Sequence, residues 1–106
     1  MRIVGGKYKS YIIPTSKKIK ARPTTDMAKE ALFNILENKI DFNQIYVLDL
    51  FCGTGNISYE FASRGVKEIT AVDHQINALQ FIQKQSSHWG MNINTKKKNA
   101  LSFLEI

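Results

Sequence analysis

At 106 residues with 43% hydrophobic side chains, the chain has the length and apolar share of one globular domain or part of one. Its apolar runs are too short to cross a bilayer, and Lys7, Lys9, Lys17 and Lys18 interrupt any signal-peptide core. The single cysteine, Cys52, excludes an intrachain disulfide and fits a reducing cytoplasm.

The net charge of +6 is unevenly placed. Residues 1–22 hold seven bases (Arg2, Lys7, Lys9, Lys17, Lys18, Lys20 and Arg22) and no acid, whereas residues 23–106 hold eight bases and nine acids. A basic segment of this kind suits a polyanion such as nucleic acid. A solvated arm that only aids solubility would show the same charge.

In chain order, "RIVGGKYKSYIIP" alternates roughly around Gly5-Gly6 and predicts a small N-terminal β-hairpin, ended by Pro14. "TSKKIKAR" reads as an exposed connector. Residues 1–22 thus form a basic hairpin and connector, and residues 23–106 the main domain. "PTTDMAKEALFNILENK" predicts a helix capped by Thr24, Thr25 or Asp26. Its apolar face, Ala28, Ala31, Leu32, Ile35 and Leu36, should pack on a sheet.

Ile45–Phe51 is almost wholly apolar and predicts a strand covered on both faces. A turn at Gly53–Gly55 follows, then a helix from Asn56 to Arg64 with Ile57, Phe61 and Ala62 inward, stopped by Gly65. "EITAVD" is a second buried strand ending in Asp73. Residues 75–89 predict a helix with Ala78, Phe81, Ile82, Gln85 and Trp89 near one face, closed by Gly90. "MNINTKKKN" reads as an edge strand, and "ALSFLEI" as the start of a further helix. Phe33, Tyr46 and Trp89 are expected in the core. This alternation is the first half of a doubly wound, mostly parallel Rossmann-like α/β fold, with strands in the order third, second, first.

Ligands in such folds bind beyond the carboxyl ends of the strands. Gly53 and Gly55 allow a tight turn and close backbone approach. Asp73, 18 positions after Gly55, stands where a carboxylate can accept from both hydroxyls of a ribose. A dinucleotide site needs a small third residue, and Ser58 occupies that place. Asp49, at the tip of the first strand, opposes a pyrophosphate and favours a cation. An ammonium and a sulfonium on an adenosine, as in S-adenosylmethionine, fit that electrostatics better than NAD.

"DLFCGTGN" resembles motif I of the class I S-adenosylmethionine-dependent methyltransferases. "RPTTDMAKEALFNIL" and "MRIVGGKYKS" resemble the RsmD family, which methylates the exocyclic amine (N2) of a guanine in small-subunit ribosomal RNA. The resemblance covers Met1 to about Leu104 and implies a cytoplasmic enzyme acting on ribosomal RNA or the small ribosomal subunit. It implies that Asp49, Phe51, Gly53, Gly55 and Asn56 meet the methionine part of the cofactor. Asp73 would bind the ribose, His74 would lie beside the adenine, and Asn99 would meet the adenine amine. The seven bases of residues 1–22 would meet RNA phosphates.

The family's catalytic motif, Asn or Asp followed by Pro-Pro and an aromatic, has no counterpart here, because the only prolines are Pro14 and Pro23. The expectation is a truncated form, inactive alone, whose first strand has an open edge that promotes self-association. The rivals are a non-catalytic nucleic-acid-binding module, an NAD-dependent oxidoreductase fragment, and a methyltransferase for DNA or a small molecule. Cys52 reads as a small turn residue rather than a nucleophile, and His74 and His88 form no spaced metal-ligand cluster. Lys96, Lys97 and Lys98 suit contact with RNA or an edge strand that resists pairing, with the edge strand favoured.

Overall fold

The computed structural model describes residues 1–19, 24–99, 101 and 104. Helix α1 (Asp26–Glu37) begins at Thr25, which has an extended backbone and whose side-chain oxygen accepts the Ala28 N–H at 3.1 Å. A short 3-10 helix (Phe42–Gln44), capped by Asp41, leads into strand β1 (Tyr46–Asp49). Helix α2 (Asn56–Ser63), strand β2 (Glu68–Asp73), helix α3 (Ile76–Trp89) and strand β3 (Ile93–Lys97) follow. Gly90 ends α3 with φ +70°, and Met91 N–H returns to Ser86 O at 2.8 Å.

The three strands are parallel in the order β1-β2-β3. Val47 pairs with Ile69, and Ile69 with Ile93. Their side chains share a core with Tyr59 of α2 and Leu79 and Ile82 of α3. The alternate positions Tyr46, Leu48, Asn94 and Lys96 are exposed. Helices α2 and α3 therefore cover one face of the sheet, and on the other face Val72 is buried. The expectation that the first strand is buried on both faces is wrong for the described residues: Tyr46 is 82% and Leu48 46% exposed. An apolar run without alternation does not reveal whether one face or two will be covered.

Helix α1 is also rotated from its expected orientation. Its buried side chains are Lys29 and Phe33, while Leu32 and Ile35 are exposed. Two contacts outweigh the apolar stripe. Phe33 meets Phe61 edge-on with ring centroids 4.7 Å apart, and Lys29 forms an ion pair with Glu60 at 3.2 Å, both side chains fully buried. Helix α1 accordingly packs on α2. Within α2, Tyr59, Ser58 and Glu60 are buried, and Ile57, Phe61 and Ala62 are only half-buried. In α3 the inward positions are Ala78, Leu79, Ile82 and Ser86, leaving Phe81, Gln85 and Trp89 half-buried at its margin.

Residues 1–13 close on themselves through one antiparallel bridge, Arg2 to Ile12, rather than two full strands. The turn docks on the end of α2, where Lys7 N–H donates to Ser63 O at 2.8 Å. Ile3 and Ile13 are fully buried in the main core, so this segment is not an appendage. Lys20, Ala21, Arg22 and Pro23 lie outside the described residues, as does most of the helix expected at 100–106; Leu101 and Leu104 are exposed.

Candidate cofactor site

β1 and β2 end side by side, with Asp49 paired to Ala71 and Asp73 two residues further along. The chain leaves β1 through Leu50 and Phe51 and turns at 52–55. Cys52 N–H donates to Val72 O at 3.2 Å, tying the turn to β2, and Gly55 N–H donates to Cys52 O at 2.7 Å. Gly53 and Gly55 have φ +51° and +88°, in the left-handed region that favours glycine. Gly55 has a second reason to lack a side chain. A Cβ there would stand 2.8 Å from Tyr59 Cζ and 2.9 Å from Ile82 Cγ1. The contact is with the protein's own core, not with the space above the turn.

Asp73 organises the turn. Its Oδ2 accepts the Gly53 N–H at 3.0 Å, and its Oδ1 accepts the Gln75 N–H at 2.9 Å. Oδ1 also accepts from Gln75 Nε2 at 3.4 Å, whereas among the described residues Oδ2 takes only the Gly53 amide and keeps lone-pair capacity for a hydroxyl donor. Asp49 is held by the buried Ser58, whose hydroxyl donates to Oδ2 at 2.7 Å. Burial pushes the Asp49 carboxyl above the usual carboxylate range, and the negative charge of Asp73 adds to that shift. Two partly desolvated carboxylates beside one turn repel each other, and a cation between them relieves that repulsion.

The remaining sequence-predicted residues divide. Phe51 is 80% exposed beside the turn. His74 has an exposed ring, its Nδ1 3.5 Å from Asp73 Oδ1. Asn99 is exposed, two positions beyond the end of β3. Asn56 is buried and its amide is committed elsewhere: Oδ1 accepts from Lys29 Nζ at 2.7 Å, and Nδ2 donates to Thr24 O at 3.1 Å. It ties α1 to the start of α2, directly behind the turn. Cys52 is buried, and desolvation with the nearby Asp49 and Asp73 charges raises its thiol pKa strongly. That is the reverse of an activated nucleophile.

Of the basic set, Arg2 pairs with Asp26 at 3.7 Å, and Lys7 Nζ lies 5.4 Å from the centre of the Tyr8 ring. Lys9, Lys17 and Lys18 are exposed; Lys20 and Arg22 lie outside the described residues. Sequence reading missed two supports of the site. Ser58 was read only as a small residue, although its spacing from Asp49 puts its hydroxyl on that carboxylate. The Lys29–Glu60 pair joins two helices 31 positions apart and leaves no local pattern.

The family described as "Conserved hypothetical protein 95" matches residues 1–105. The chain is 43% identical over 79 residues to the uncharacterized methylase RP545 of Rickettsia prowazekii, covering 69% of this chain and 34% of the relative. It is 30% identical over 106 residues to ribosomal RNA small subunit methyltransferase D of Buchnera aphidicola, covering 99% of this chain and 54% of the relative. The solved putative methyltransferase yhhF of Escherichia coli superposes with a TM-score of 0.85 at 30% identity, over 98% of this chain and 56% of that one. The chain thus spans about half the length of full relatives of this kind. The match of the family model over residues 1–105, with these relatives, makes the chain a member of the conserved hypothetical protein 95 family, the RsmD family.

Proposed function

We propose that the chain supplies the cofactor-binding part of an S-adenosylmethionine-dependent enzyme that methylates the N2 amine of a guanine in small-subunit ribosomal RNA. The observation that carries the reading is the pair Asp49 and Asp73 on either side of the Gly53–Gly55 turn, with Asp49 short of a positive partner. This donor set fits S-adenosylmethionine: Asp49 faces the cationic methionine part and Asp73 takes the ribose hydroxyls. A pyrophosphate would add charge of the wrong sign. The kinship with ribosomal RNA small subunit methyltransferase D supports the substrate class.

The bound cofactor supplies an electrophilic methyl group for in-line displacement by a nucleophile. What this chain's residues contribute is binding and orientation. Asp73 fixes the turn through Gly53 and the start of α3 through Gln75; Ser58 fixes Asp49. No Pro-Pro occurs among the 106 residues, so the polar group that would orient the target amine has no candidate here. The chain alone is accordingly expected to bind cofactor without turnover.

Calorimetry tests both parts. S-adenosylmethionine and S-adenosylhomocysteine should bind the chain, Asp73→Ala should abolish the heat, and NADH should give none. NADH binding with no response to S-adenosylhomocysteine would replace this reading with the oxidoreductase one. Binding of neither, with RNA still bound, would support the non-catalytic module. Methylation of ribosomal RNA by the purified chain would contradict the predicted inactivity.

A further inference from the structure

A groove of about 590 Å3 lies away from the glycine turn, between Pro14 and the outer face of the second half of α3. Phe81, Lys84, Gln85, Ser87 and His88 line it. Its size falls within the range of about 300–1,000 Å3 that accepts a small organic group. We propose that this groove is a second contact site for RNA, taking an unpaired nucleotide of the substrate with its base on Phe81 and Pro14 and its phosphate on Lys84. The inference rests on the RNA-substrate reading above and extends it to a surface outside the basic segment.

Three observations converge. First, the electrostatics have one sign: α3 has no acidic residue between Ile76 and Trp89, and neither have residues 1–19, whose Pro14 shares the lining. Second, the lining offers donors without partners. Among the described residues, the side chains of Lys84, Gln85, Ser87 and His88 make no hydrogen bond or ion pair. An ammonium, an amide, a hydroxyl and an imidazole beside an aromatic ring are the groups that meet phosphate, base edge and base face in single-stranded recognition. Third, the groove continues the basic segment. Lys7 lies over Tyr8, the Tyr8 hydroxyl donates to Trp89 O at 2.9 Å, and the Tyr11 ring meets the Trp89 ring with centroids 5.5 Å apart. The N-terminal segment that supplies Pro14 to the groove is thus held against the end of α3.

The half-buried position of Phe81 agrees with this use. Its spacing in α3 suits a core residue, yet the helix turns Leu79 and Ile82 inward and leaves Phe81 at the groove. Asp49 and Asp73 stand at the ends of β1 and β2, and neither lines the groove. It should govern RNA affinity and leave cofactor affinity alone.

The test is fluorescence anisotropy with a labelled, unstructured ribosomal RNA oligonucleotide, titrated with salt. Lys84→Glu should weaken binding and reduce the salt slope by about 0.7 or more. Phe81→Leu, which keeps an apolar side chain but removes the ring, should weaken it by about fivefold or more. Lys67→Glu, an exposed base outside the groove, should change neither beyond twofold. Melting temperature and S-adenosylhomocysteine binding should match the parent in every variant. If Lys7→Glu with Lys9→Glu removes RNA binding while Lys84→Glu and Phe81→Leu behave like Lys67→Glu, the groove proposal is overturned and the RNA reading stands. If the parent binds no RNA, the underlying reading fails and the groove with it. Equal weakening by Lys84→Glu on a duplex competitor, with no Phe81→Leu effect, overturns the unpaired-base assignment.

Discussion

Replacing Lys29 by methionine removes the cation from the only fully buried ion pair among the described residues. Taking one partner from such a pair costs about 3–5 kcal/mol, because the other charge is left in a poor solvent. Here Glu60 keeps three donors: Arg64 Nε at 2.8 Å, Val4 N–H at 2.9 Å and Gly5 N–H at 3.0 Å. Its charge is not stranded, so Lys29→Met should fall at the low end, about 3 kcal/mol. The converse change is worse. Glu60→Gln leaves the Lys29 ammonium with neutral acceptors only, Arg2 O and Asn56 Oδ1 among them, and deprives Arg64 of its carboxylate. That loss should reach about 4–5 kcal/mol. Against a total stability of about 5–15 kcal/mol, either is severe. The double variant should lose less than the two single losses added, because the partners share one network. Urea unfolding followed by circular dichroism measures all three. A loss below about 1 kcal/mol for both singles, or a larger loss for Lys29→Met than for Glu60→Gln, would refute the reasoning.

Gly55→Ala should cost about 2–5 kcal/mol, from the left-handed backbone together with crowding of Tyr59 and Ile82; a loss under about 1 kcal/mol in urea would contradict the packing role. Burial and Asp73 raise the Asp49 pKa, and a bound cation favours its ionised form. S-adenosylhomocysteine affinity should therefore rise with pH through the acid range above ordinary carboxylate values and then level off. Calorimetry at several pH values should show this, and Asp49→Asn should flatten it. In the unliganded chain the sign is opposite: with its folded pKa raised, Asp49 contributes stability that is full at low pH and is lost as pH rises through that value. The exposed edge of β1, carrying Tyr46 and Leu48, should promote self-association visible in concentration-dependent sedimentation, and Leu48→Lys should reduce it. A parent chain that sediments as a monomer at high concentration would contradict this.

The order of elements was legible because helical spacing, paired glycines and strand-end acids are local signals. Gly90 stopping α3 and Thr25 starting α1 are examples. The placing of Asp49 and Asp73 beside one turn followed from that order alone. Orientation was not legible. The faces of α1 and α3 were set by Lys29 on Glu60 and by Leu79 and Ile82 on the sheet, contacts between residues far apart in sequence. Nor did the sequence reveal that Asn56 serves the joint between helices, or that Tyr46 faces outward. Both depend on what stands opposite, and periodicity carries no record of the opposite partner.

The N-terminal turn clasps α2 at both ends of a short span: Glu60 receives the Val4 and Gly5 amides, and the Ser63 hydroxyl donates to Gly5 O at 2.6 Å. Lopping off the first dozen residues would thus strip Glu60 of two donors and bare the hydrophobic side of Tyr59, not merely shed positive charge. A deletion meant to probe polyanion affinity would report collapse instead, so the lysines there must be neutralised one by one with the main chain intact.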